Sequence, residues 1–281
     1  MGKKLLLPTD FSKNSWNAIV YALKLHAEQD CDFYILNTYV KDSHGLNNIN
    51  RLDPDEAFNK LSENRSKEGL GDILNRLTFA KENPNHRFHV LSRSSVFIDA
   101  VKNIVENMQI DMIILGAKGM KHRQEGKYGK NTLAVIENVR KCPVLMVPKN
   151  AIFNRPEEIV LATNFNTDFR TSEVKYLAEI AKMTGASIQV LSLADNGTLT
   201  SQQKNNKIRL QKYFKAVDLS FNVLHDVNMS AALSCFVEIR HSNMVSYIDE
   251  KPSFWEKLGF GTPSLGKLGY FKDVPVLALH G

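Results

Sequence analysis

Apolar runs and helical periodicities alternate along the first half of the chain. Leu5–Leu7 is a short unbroken apolar run, as expected of a strand buried on both faces. Asp10-Phe11-Ser12 then supplies capping side chains, and Ala18, Ala22 and Leu25 share one face, predicting a helix over roughly 13–29. Phe33–Val40 reads as a second strand, and a polar stretch over 41–53 leads to a helix over about 54–80. Pro54 with Asp53, Asp55 and Glu56 suits the first turn of that helix, while Gly69 and Gly71 weaken its middle. A third strand follows over Arg87–Ser92, a third helix over 96–108 and a fourth strand over 111–116. A helix from about 131 to 140 and a strand over 143–147 close the unit. Strands separated by helical patterns imply right-handed parallel βαβ crossovers, with helices on both faces of the sheet.

The second half repeats the pattern. Ile159-Val-Leu-Ala-Thr-Asn-Phe165 mirrors Leu5-Leu-Leu-Pro-Thr-Asp-Phe11 at an offset of 154, and Leu177/Ala181 answer Leu23/Ala27. Ser187–Leu193 answers the second strand. Val274-Pro-Val-Leu277 answers Cys142-Pro-Val-Leu145 at an offset of 132. The shorter offset means that the second unit has lost about twenty residues, mostly around its second helix. A tandem duplication accounts for this, with domains over 1–150 and 151–281 and a linker at Asn150–Pro156. A chain of 281 residues suits two domains.

The chemistry concentrates after the fourth strand. Gly116-Ala-Lys-Gly119 is followed, nine residues on, by Gly129-Lys-Asn-Thr132. Glycines let a backbone approach a ligand closely, and free amides at a helix start attract phosphate. The stretch therefore reads as a phosphate cradle at the carboxyl end of a parallel strand. Lys118, Lys121, Arg123 and Lys127 share it, with Glu125 the one acid. That fits polyphosphate binding, and it fits a solvated basic loop equally.

These residues carry a resemblance. The Pro8-Thr9-Asp10 turn, the Asp111-Met-Ile-Ile-Leu-Gly116 strand, the G-x2-G-x9-G spacing and the closing Cys142-Pro-Val-Leu-Met-Val-Pro148 resemble the universal stress protein (UspA) family in its tandem form. The resemblance covers 1–148 well and 157–281 more faintly. It implies two Rossmann-like domains of the adenine nucleotide alpha hydrolase type, each with a five-stranded parallel sheet, paired through their final strands. It also implies ATP, or another adenine nucleotide, at the sheet's carboxyl edge, with Mg²⁺ able to accompany the phosphates. Pro8, Thr9 and Asp10 would meet the adenosine portion, and backbone near Thr38 would border the base. Gly116 and Gly119 would let the loop pass ribose and phosphates. Gly129, Asn131 and Thr132 would supply donors to phosphate oxygens. Lys130 stands where the family pattern has Ser or Thr; it can neutralise phosphate as a point charge or face water.

The second half departs further. Asn164 answers Asp10, removing the carboxylate, and Ile248 and Lys251 answer Gly116 and Gly119. Asp249 and Glu250 put negative charge where phosphates would lie, and Phe254, Trp255 and Phe260 add bulk. This half is expected to be a degenerate partner, although Gly261, Thr262 and Ser264 stay compatible with phosphate.

Catalytic signatures are absent: there is no G-x-x-x-x-G-K-[ST] loop and no G-x-S-x-G elbow. At most weak ATP hydrolysis is expected. His86 and His89 fall on opposite strand faces, His122 sits alone in the basic loop, and Asp111 is read as ending the loop before the fourth strand rather than pairing with Asp10. Composition is that of a globular chain, 43% hydrophobic and 23% charged. The net charge of +6 is uneven: residues 1–150 hold 22 Lys+Arg against 17 Asp+Glu. Basicity alone makes a weak case for nucleic acid, since no basic motif is interleaved with aromatics. Cys31, Cys142 and Cys235 are isolated and read as buried free thiols. The amino-terminal apolar run is too short for a signal peptide and no stretch could span a bilayer, so a soluble cytoplasmic chain without membrane partners is expected.

Two functions compete. One is a nucleotide-binding sensor in stress response, in which ATP orders the 117–130 loop and changes a surface seen by a protein partner. The other is a nucleotide-independent interaction module, an intramolecular pseudo-dimer with Val144–Val147 against Val276–Leu279. A further homodimer through another face is compatible with either.

Overall fold

The computed structural model describes residues 2–40, 54–79, 83–118, 128–166, 170–193, 199–224, 227–249, 265 and 268–280. In the first half, β1 (Lys3–Pro8), α1 (Lys13–Leu25), β2 (Cys31–Tyr39), α2 (Pro54–Phe79), β3 (His86–Ser94), α3 (Phe97–Met108), β4 (Met112–Gly116), α4 (Lys130–Asn138) and β5 (Val144–Val147) follow in order. The second half contributes β6 (Glu158–Ala162), α5 (Thr171–Thr184), β7 (Ser187–Leu193), α6 (Ser201–Tyr213), β8 (Leu219–Leu224), α7 (Met229–Arg240), β9 (Met244–Asp249) and β10 (Val276–His280). The fold is α/β and Rossmann-like, as the alternating pattern and the resemblance implied.

The ten described strands form one sheet, ordered β3-β2-β1-β4-β5-β10-β9-β6-β7-β8. Each half is a parallel five-stranded unit. The halves meet where β5 and β10 run antiparallel, with Leu145 opposite Leu277 and Met146 opposite Val276. Neither final strand is left as an edge. In each half the strand order reverses at the first and fourth strands, and the crevice beyond their carboxyl ends is where open α/β sheets take ligands.

The apolar runs are explained by burial on both faces. Leu5 and Leu7 face one core, built with α1, α2, α5 and α6, while Leu6 faces the other, built with α3, α4 and α7. Both cores cross the β5–β10 seam: Leu145 and Leu277 lie in the first, Val144, Met146, Val276 and Ala278 in the second. Helix α1 opens on Ser12, which accepts from the Ser15 amide. It ends at Leu25 rather than near 29, because the chain turns at His26, whose ring is buried against Gln29. Helix α2 runs unbroken through Gly69 and Gly71, over 26 residues against 13 for α6, which locates much of the length lost by the second half. The linker is gripped by α1: the Asn17 amide donates to the Pro148 and Ala151 carbonyls at 3.1 and 2.9 Å.

A charged contact joins the halves beside the seam. Arg140, ahead of β5, donates from Nη1 to the Asp249 carboxylate and from Nη2 to the Asp249 carbonyl, both at 2.5 Å. Their side chains are only 13% and 9% exposed. Arg170 in turn donates to the Arg140 carbonyl. Removing one member of a buried pair strands the other charge. Arg140→Ala should therefore lower unfolding free energy by about 3–5 kcal/mol in urea titration. Adding Asp249→Asn should recover part of that loss; equal stability of Arg140→Ala and the wild type would contradict this role.

Candidate functional site

The carboxyl ends of β1, β2 and β4 enclose a cavity of about 370 Å³. Its floor is the turn after β1. The Thr9 hydroxyl accepts from the Phe11 amide at 3.0 Å and pairs with the Ser15 hydroxyl at 3.0 Å. The Asp10 carboxylate accepts from the Ser12 amide at 3.1 Å. From the end of β2, Asn37 donates to the Thr9 carbonyl at 2.8 Å, locking two strand ends together. Phe11 takes a positive φ of 62° to complete the turn.

The second half builds the same turn. Thr163 accepts from Phe165 at 3.0 Å, Asn164 accepts from Asn166 at 3.0 Å, and Phe165 has φ 60°. Replacing Asp10 by Asn164 therefore changes charge and leaves shape alone.

The roof lies between β4 and α4. The Ala117 amide donates to Val147, and the Gly129 amide donates to the Ala117 carbonyl at 2.9 Å. The Thr132 hydroxyl donates to the Gly116 carbonyl at 3.0 Å, and the Asn14 amide donates to the Lys118 carbonyl. These bonds tie the departure of the basic loop to its return.

Of the residues expected here, Pro8, Thr9, Asp10, Thr38, Gly116, Asn131 and Thr132 line the cavity. Gly119 lies outside the described residues, as do His122 and the other loop charges from Lys121 to Lys127. Three of the expected residues are bonded or placed as follows. The Gly129 amide is spent on Ala117 rather than held out for a ligand, and the Thr132 hydroxyl proton is spent on Gly116. Lys130 is exposed and does not line the cavity. The amides of Lys130, Asn131 and Thr132, at the start of α4, have no partner among the described residues. They are the donors that a helix start offers an anion.

Gly116 also has a packing role beside its place in the cavity lining. It does not adopt a left-handed conformation; a Cβ there would sit 2.6 Å from Nδ2 and 2.9 Å from Cγ of Asn14. The bare backbone makes room for Asn14, which holds Lys118.

Sequence reasoning overlooked Ser15, Asn37, Phe97 and Leu115, which complete the lining with Lys118. Asn37 had a visible signal, a polar residue directly after the apolar run Phe33–Leu36 at the carboxyl end of β2. Phe97, at the start of α3, reaches the same sheet edge, yet its type alone suggests only packing.

Strand register settles how the second half compares. Met112 pairs with Leu5 as Met244 pairs with Ile159, and Val144 pairs with Ile113 as Val276 pairs with Val245. Ile248 thus occupies the Gly116 position, and Asp249 the Ala117 position, where Arg140 meets it. The aromatic residues expected to add bulk, and Lys251 and Glu250, lie outside the described residues.

Other candidates separate from the cavity. Asp111 accepts from the Lys4 amide at 2.8 Å, at the far end of β1 from Asp10. His86 lies 3.0 Å from the His26 carbonyl, and His89 lies 2.8 Å from Asp32. Cys31 and Cys142 are buried free thiols, but Cys235 is exposed on α7, against expectation. No described helix is long and apolar enough to cross a membrane.

Gly116→Ala should push Asn14 off Lys118 and lower stability by about 1–3 kcal/mol. Adding Asn14→Ala should restore part of it in urea unfolding, since the clash is then relieved. A Gly116→Ala protein as stable as the wild type would refute the crowding.

Comparison with known proteins agrees with this architecture. The sequence profile of the Universal stress protein family matches residues 1–148. A universal stress protein of Methanocaldococcus jannaschii is 26% identical over 147 residues, 52% of this chain and 82% of that protein. Among solved structures, a universal stress protein from Archaeoglobus fulgidus superposes with TM-score 0.71 at 14% identity, covering 99% of this chain and 98% of its own. A protein of unknown function from Pseudomonas aeruginosa PAO1 gives TM-score 0.58 at 10% identity, covering 99% of this chain and 92% of its own. At such identities the structural likenesses speak for the fold alone. The profile match extends over more than half of the chain, which belongs to the universal stress protein family.

Proposed function

We propose that the first half, residues 1–150, binds an adenine nucleotide such as ATP in the cavity beside β4. The second half, 151–281, is a degenerate copy that binds none. The observation that carries this reading is the pairing of shape with donors. A cavity of about 370 Å³ falls in the range of small-ligand sites, and at one end stand three helix-start amides without a partner among the described residues. Phe97, Leu115 and the Thr38 region offer apolar surface for a base, and Asp10 offers an acceptor for ribose hydroxyls. The cytoplasm, as the source of such a ligand, fits the reading.

The protein then acts as a nucleotide-responsive regulator rather than an enzyme, its occupied state presenting a different surface to a protein partner in the stress response. Among the described residues no group of three or more His, Cys, Asp or Glu could hold a metal ion. A Mg²⁺ ion would arrive on the nucleotide's own phosphate oxygens.

Titration of the full chain with ATP by calorimetry should give one site per chain. Two equal sites, or none, would overturn the proposal; none would favour the nucleotide-independent scaffold. Asp10→Asn should keep the fold, because the repeat builds the same turn with Asn164. It should weaken ATP binding about ten-fold, the loss expected for one hydrogen bond to a charged acceptor. Unchanged affinity would remove Asp10 from the site.

A further inference from the structure

The second half reaches into the first half's site. Tyr270 lies in the segment ahead of β10, and its ring centroid is 4.6 Å from the Lys118 ammonium. The same ring meets Tyr128 edge-on, with centroids 5.1 Å apart and planes at 68°. Lys118 lines the cavity where the basic loop departs, and Tyr128, ahead of Gly129, stands where the chain comes back. One residue of the second half therefore touches both margins of the loop.

Tyr270 is held there firmly. Gly269 before it takes φ 88°, a conformation that other residues resist, and a Cβ at that position would run into the Ser230 hydroxyl. Leu268 and Phe271 on either side are buried in the shared core. Tyr128 is buried as well, and burial pushes its hydroxyl above the ordinary tyrosine range, so it stays neutral.

The antiparallel seam explains the reach. It carries the segment ahead of each final strand over the carboxyl edge of the other half's fourth strand. Traced from the first half, that geometry delivers Arg140 to Asp249, at the position answering Ala117. Traced from the second half, it delivers Tyr270 to Lys118, one residue further along. The first contact fills an edge, and the second braces one that stays open.

We propose that Tyr270 is a positioning residue for anionic ligand at the first half's site, holding Lys118 toward the cavity through its ring face. This rests on the nucleotide reading above, and it means that the degenerate half completes its sister's site. A tyrosine ring attracts an ammonium through its π face, which phenylalanine retains and leucine lacks.

The test is ATP affinity of the full chain in a double-mutant cycle. Tyr270→Leu should weaken binding about three- to ten-fold, the scale of a partly desolvated cation–π contact. Tyr270→Phe, which keeps the ring face, should bind within about two-fold of wild type. In a Lys118→Met background, Tyr270→Leu should have no further effect. In the ligand-free protein, the Lys118 ε-methylene protons should show an upfield ring-current shift that Tyr270→Leu abolishes and Tyr270→Phe keeps. Wild-type affinity in Tyr270→Leu, or an equal loss with and without Lys118, would overturn the positioning role while leaving the site in place. Failure of the wild type to bind ATP would overturn both.

Discussion

The antiparallel pairing of β5 with β10 is the constraint on which the rest of the molecule depends. Two parallel five-stranded sheets each end on a strand with unpaired backbone groups, and each strand supplies the other's missing partner. The hydrophobic cores then run through the seam on both faces, so the halves are not separable layers. The pairing also has a geometric by-product. Because the two strands run in opposite directions, the chain entering each one passes the ligand edge of the opposite half.

The two copies share one architecture and differ in residues at its carboxyl edge. Their first turns are superposable in hydrogen bonding, down to the positive φ of Phe11 and Phe165. Among the described residues of this edge, charge and bulk differ at these positions. Asp10 becomes Asn164; Gly116 becomes Ile248; and the neutral Ala117 becomes Asp249, which draws in Arg140. In the second half a buried carboxylate–guanidinium pair occupies this position; at the first half's cavity stand the helix-start amides and Lys118. The asymmetry is local, and the fold that carries it is common to both halves.

Much of this was legible in the chain. Strands buried on both faces appear as plain apolar runs, so Leu5–Leu7, Val144–Val147 and Val276–Leu279 could be found and aligned. The offsets of 154 and 132 were readable for the same reason, and register bears out the second. The cavity's floor was marked by Pro8-Thr9-Asp10, a turn with its own local chemistry. What stayed hidden depends on residues far apart in sequence. Nothing near Gly116 announces that Asn14, from α1, needs its space, and nothing near Asp249 announces Arg140. The Gly129 amide and the Thr132 hydroxyl look available until the start of α4 is seen to bond back to Ala117 and Gly116. The early end of α1 was missed because His26, a polar residue, is buried where the chain turns.

The central claim is that one carboxyl edge of this sheet is open to an anionic nucleotide while its repeat is filled from within. A crystal structure of the full chain grown with an adenine nucleotide tests it most directly. The account predicts nucleotide density between Asp10 and Asn131, with the Arg140–Asp249 pair undisturbed. Nucleotide bound at the end of β9, with Arg140 displaced and the first cavity lacking ligand, would contradict it.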